Sequence, residues 1–142
     1  MTRRSLVILL LVPGLRAGTE QQVWDLFTAL AAALSAGDAV EFMRYFDPAM
    51  PDREKLRAYV AGLVDEGDLQ SSVEIRSDEG DDHARNVELD WLLQIVERED
   101  AAGLTRRREI VKCRLVKRGK NWRIAAFDPI ALFAPPSANE RQ

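Results

Sequence analysis

The chain has 142 residues, 46% of them hydrophobic and 30% charged, with a formal charge of −3 and a single cysteine. That length suits one domain with one core and is too short for two ordinary ones. The mild acidity argues against nucleic acid as a global partner, and the lone Cys113 leaves no intramolecular disulfide to form.

Residues 1–18 stand apart from the rest of the chain. Arg3 and Arg4 precede an apolar run, Leu6 to Val12, and then come Pro13, Gly14 and Leu15-Arg16-Ala17. A basic start, an apolar centre and small residues near a cut site describe a secretory signal peptide. The run is well short of the ~20 residues that span a bilayer, so no permanent membrane span is expected. The expectation is a cleaved leader, a mature chain starting near Gly18, and a periplasmic or secreted location. The alternative is an apolar N-terminal helix packed on a cytoplasmic domain.

Thr19-Glu20-Gln21-Gln22 matches a capping box. It predicts a helix starting there, with Val23, Leu26, Phe27, Leu30 and Leu34 at helical spacing and Gly37 as its stop. Asp38 then caps a short second helix bearing Val40, Phe42, Met43 and Phe46. Asp47-Pro48 ends that helix, because the residue before proline avoids the helical region. Asp52 opens a third, with Leu56, Tyr59, Val60, Leu63 and Val64 on one face and Gly67 at its end.

Ser71 to Ser77 is a short strand candidate, followed by a turn from Asp78 to His83. From Asn86 to Asp128 the patterning has period two. Val87, Leu89, Trp91, Leu93 and Ile95 make one apolar row, Val111, Cys113 and Leu115 a second, and Trp122, Ile124 and Ala126 a third. Lys117 to Asn121 forms the turn between the last two strands. A sheet with one apolar face needs a cover, and the helices are the cover available. The expected fold is α+β: three N-terminal helices packed on a curved four-stranded antiparallel sheet, spanning residues 19–134, with a flexible tail from 135 to 142.

This order of elements resembles the nuclear-transport-factor-2-like superfamily, the cone of the polyketide cyclases and ketosteroid isomerases. The likeness covers roughly Thr19 to Phe133. It is carried by Ala36-Gly37-Asp38 running to Phe46-Asp47-Pro48, and by the Gly119-to-Phe127 strand with its Asn121-Trp122-Arg123-Ile124. It implies a cystatin-like cone in which helices close over a bent sheet and leave a pocket. It implies no single chemistry, since isomerases, dehydratases, epoxide hydrolases and proteins without known chemistry share that cone.

Pocket-lining candidates sit on the inward rows and on the helices above them: Tyr45, Tyr59, Trp91, Val111, Cys113, Trp122 and Asp128, the last continuing the Trp122-Ile124-Ala126 row. The superfamily's ketosteroid isomerases use an acidic base with a Tyr and an acid in an oxyanion hole, and that triplet is not matched here residue by residue. Cys113, in an apolar row, reads as a buried, inert thiol. His83 with Asp78, Asp81 and Asp82 fits neither a calcium loop nor a zinc signature and reads as a solvated turn. No metal or cofactor is expected.

Arg106 to Arg123 holds nine basic residues, with Glu109 as its only acid. Glu88, Asp90, Glu97 and Glu99 on the neighbouring strand can pair with them, and no aromatic ladder interleaves, so nucleic acid is not expected. The outward rows carry Leu92, Val96, Ile110, Val116, Ala125 and Phe127, a greasy surface for a solvated face. A homodimer through the sheet explains it, and the Ile130-to-Phe133 segment folding onto that face is the alternative cover. The functional expectation is an exported, non-catalytic protein binding a small apolar ligand or a protein partner in or around the cone. The alternative is a lyase- or isomerase-type enzyme acting on a small hydrophobic carbonyl or polyketide-like substrate.

Overall fold

A computed structural model describes residues 14–99, 103–137 and 139–140, so most of the leader expectation falls outside the described residues. Three helices, α1 (Gly14–Ser35), α2 (Ala39–Met43) and α3 (Arg53–Glu66), precede four strands, β1 (Gly67–Gly80), β2 (Ala84–Glu97), β3 (Leu104–Arg118) and β4 (Asn121–Asp128). A 3-10 turn, Ile130–Phe133, follows. The strands form one antiparallel meander in the order β1-β2-β3-β4, as expected. No helix among the described residues is long and apolar enough to cross a membrane.

The helix junctions follow from single residues. Gly37 takes φ 73°, its N–H reaching Leu34 O at 3.0 Å while the Asp38 N–H reaches Ala33 O at 2.9 Å. That pair of bonds is a Schellman stop. Asp38 then accepts from the Glu41 N–H at 3.0 Å and starts α2. Asp52 precedes α3 in the left-handed region with no side-chain cap, so it marks the start by position alone. Gly67 is extended, at φ −148°, and is needed for space: a Cβ there would stand 2.9 Å from Val96 O.

Four expectations need correction. α1 starts at Gly14, so the Thr19 capping box does not form. Leu15, Arg16 and Ala17 are good helix formers and carry the helix upstream, and the Thr19 hydroxyl donates instead to Asp82 Oδ1 at 3.1 Å. β1 runs 14 residues rather than Ser71 to Ser77. Main-chain pairing with β2 extends it from Gly67↔Glu97 to Gly80↔Arg85, through a polar stretch where the side-chain pattern is silent. In β4, Arg114 pairs with Ala126 but Leu115 with Ile124, which leaves Ala125 as a bulge residue. The inward row therefore passes from Ile124 to Phe127: Phe127 is buried and Asp128 is exposed, each opposite to its expected face.

The fourth correction concerns the tail. The 3-10 turn packs against α3 and β3 instead of the outer sheet face, and buries Leu132 and Phe133. Phe133 stands 5.4 Å from the rings of both Phe42 and Trp91 and 5.8 Å from Phe127, and Phe46 lies 5.3 Å from Phe42. These five rings fill the space between helices and sheet. Arg107, on the inward row of β3 beyond the end of β4, holds the tail: Nε and Nη2 donate to the Glu140 carboxylate at 2.8 and 3.0 Å, and Nη1 to Leu132 O at 2.6 Å. That guanidinium holds the Glu140 carboxyl below its ordinary range. Glu140, within the segment from residue 135 expected as a tail, is the carboxylate that Arg107 holds.

Candidate functional site

The outer sheet face takes its character from the register. Ser77, Glu88, Lys112 and Asp128 lie in one cross-strand row, and Glu79, Asn86, Arg114 and Ala126 in the next. Together they line a groove of about 590 Å³. Glu88 and Asp128 flank Lys112 at cross-strand distance. Among the described residues, none of Glu79, Glu88, Lys112 and Asp128 has an ion-pair partner within 4.0 Å. Further along, Arg108 clasps Asp90 through Nε at 3.0 Å and Nη2 at 2.7 Å, which holds the Asp90 carboxyl below its ordinary value. Leu92 and Ile110 lie beside that pair, 37% and 38% exposed.

No protein-family model matches the chain, and no curated protein does. Solved structures match over most of its length. A conserved protein from Planctomyces limnophilus superposes with a TM-score of 0.71 at 10% identity, over 79% of this chain and 94% of that one. A candidate scytalone dehydratase from Novosphingobium aromaticivorans gives 0.70 at 11% identity, over 79% and 83%. A nuclear-transport-factor-2-like protein of unknown function from Shewanella oneidensis gives 0.57 at 13%, over 76% and 95%. The fold is the nuclear-transport-factor-2-like cone. At these identities the likeness is one of fold alone.

Within the cone, the seven pocket-lining candidates do not converge. Trp91 and Val111 are fully buried in the packed interior. Cys113 is buried beside them, which pushes its thiol far above the ordinary range, although it also borders the outer groove. Asp128 stands on the outer face opposite Lys112. Tyr59 is half-buried on α3, with Lys55 Nζ 5.8 Å from its ring.

Tyr45 and Trp122 do share a cleft of about 260 Å³, with Gln22, Asp25, Lys120 and Arg123. Both polar ends are engaged there. The Tyr45 hydroxyl donates to Glu41 Oε2 at 2.9 Å, and burial followed by that carboxylate raises its pKa. Trp122 Nε1 donates to Gln22 Oε1 at 3.0 Å, with Lys117 on the same oxygen at 3.2 Å. Nor is the His83 turn open: Asp81 Oδ1 accepts from the His83 and Ala84 N–H groups at 2.8 and 2.9 Å.

Most of the basic strand is neutralised or bonded at home, Arg107 by Glu140, Arg108 by Asp90, Arg118 by Asp47 and Arg114 by Asn86. The inward placement of Arg107 was missed from the sequence. Its signal was present, since Arg107 has the parity of Val111 and Cys113.

Proposed function

We propose that this domain is a non-catalytic binding module that works through its outer sheet face, and that its partner there is a second copy of the chain. The supporting observation is the row Ser77-Glu88-Lys112-Asp128, where unlike charges stand unpaired. A twofold axis across that face sets Lys112 of one protomer against Glu88 or Asp128 of its partner. Four strands about 4.8 Å apart, averaging ~40 Å in length because β4 is the short one, offer about 750 Å², close to the ~800 Å² per partner of a standard interface. Leu92 and Ile110 supply apolar contact within it.

The packing inside the cone also favours binding over a lyase- or isomerase-type reaction. Arg107 is committed to Glu140 and Tyr45 to Glu41, so neither is a free acid or base. Sedimentation velocity tests the partner assignment. Lys112→Glu should weaken the dimer, and adding Glu88→Lys should restore it. A Lys112→Glu protein that still sediments as the wild type does refutes it.

Export is a separate inference, supported by Arg3, Arg4 and the Leu6-to-Val12 run. A cut near Gly18 falls within α1 but ahead of Val23, so Val23, Leu26, Phe27, Leu30 and Leu34, all buried, stay with the mature chain. Amino-terminal sequencing of envelope-fraction protein should begin near Gly18, and intact Met1 there refutes cleavage.

A further inference from the structure

The helical layer carries a second concavity, of about 450 Å³, between α2 and α3. Ala39, Val40, Met43 and Ala61 give it apolar walls, and Arg44, Arg53 and Arg57 stand around it. Val40 is 76% exposed, the most exposed large hydrophobic residue among those described. Its position follows from the brevity of α2: five residues make little more than one turn, so burying Phe42 and Met43 leaves Val40 on the open side.

The charges there do not cancel. Arg44 pairs with Glu41 at 3.4 Å, Arg57 with Glu54, and Arg53 Nη1 lies 3.7 Å from that same Glu54. Three guanidinium groups thus share two carboxylates, leaving one positive charge in excess. Arg53 spends Nη2 on Met43 O at 3.2 Å, and its covered Nε–H has no partner. An apolar trough with one surplus cation suits a singly charged amphipathic anion. Arginine forks match a carboxylate in plane, and the volume lies within the ~300–1,000 Å³ of small-molecule sites.

We propose that the α2–α3 groove binds a small amphipathic carboxylate, a medium-length acyl chain whose alkyl part lies on Val40 and Met43 and whose carboxylate sits among Arg44, Arg53 and Arg57. The site lies on the helical layer and does not depend on the sheet-face reading. Monomer and dimer would bind alike.

The test is a titration with decanoate below its micelle-forming concentration, following the methyl resonances of Ala39, Val40, Met43 and Ala61 by NMR. Decanol is the neutral control and octyl phosphate the doubly charged one. Saturable shifts confined to those methyls are expected, with decanoate about tenfold tighter than decanol because its bonds are charge-assisted. Arg44 and Arg57 have side chains 63% and 57% exposed, so Arg44→Gln with Arg57→Gln should keep the melting temperature. The double variant should lose about tenfold in decanoate affinity and leave decanol unchanged. Four results each overturn the proposal: no saturable shift, equal affinity for decanol and decanoate, tighter binding of octyl phosphate, or an acidic helical peptide that shifts these methyls where decanoate does not.

Discussion

Phe133→Ala removes the ring that joins the C-terminal turn to both layers of the cone. The side chain is fully buried, with Phe42 and Trp91 at 5.4 Å and Phe127 at 5.8 Å. Truncating a buried phenylalanine costs about 3–5 kcal/mol, and each ring contact is worth ~0.5–1.5 kcal/mol beyond its area, though not additively. We expect a loss near 4 kcal/mol, a large share of the ~5–15 kcal/mol of a typical domain. Urea unfolding followed by tryptophan fluorescence reads it directly, since the Trp91 ring is one of the contacts. The slope with denaturant should stay the same, because the exposed area changes little. Ile130→Ala, at a half-buried neighbour, is the control and should cost well under half as much. A loss below ~1 kcal/mol at unchanged slope would refute the idea that this turn is part of the core.

Two further outcomes follow from buried groups. Asp47 is held below its ordinary 3.8 by the Ala49 N–H at 2.9 Å and by Arg118, also at 2.9 Å. A depressed carboxyl stabilises fully above its unfolded value and loses that contribution as pH falls below 3.8 through the folded value. Asp47→Asn should therefore cost about 1–3 kcal/mol at neutral pH, with the gap from wild type closing in acid; a gap independent of pH contradicts this. Cys113, pushed above its ordinary 9.0 by burial, should react with a thiol reagent at pH 8 only through opening of the sheet. Its labelling rate should rise with urea as unfolding does, and rapid stoichiometric labelling of the native protein would count against the burial.

The parts of the fold that were legible from the sequence are those where side chains carry the signal. The Val87-to-Ile95 row faces the core as its alternation requires, and Gly37 and Asp38 act as stop and cap. What escaped is written in the backbone. The Ala125 bulge leaves no mark in the pattern Trp122-Ile124-Ala126, so Phe127 and Asp128 were assigned to the wrong faces. β1 owes its length to main-chain pairing rather than to Asp68 or Gln70, and the Thr19 box lost to helix formers upstream.

The candidate site was legible in the same uneven way. Lys112 and Glu88 fall on one face by parity. That they share a row with Asp128 depends on register, which no single strand encodes. The α2–α3 groove draws on residues from Ala39 to Ala61 that meet only after the helices pack, so no local pattern announces it.

The proposed dimer makes the outer sheet face the surface where this chain meets a second copy of itself. Light scattering on the wild-type protein at micromolar concentration tests it most directly. Twice the 16.0 kDa mass of the full chain is expected, or twice the processed mass if the leader has been removed, with a return to the single-chain mass in a folded Leu92→Lys, Ile110→Lys variant. A wild-type protein that is already monomeric there would contradict it.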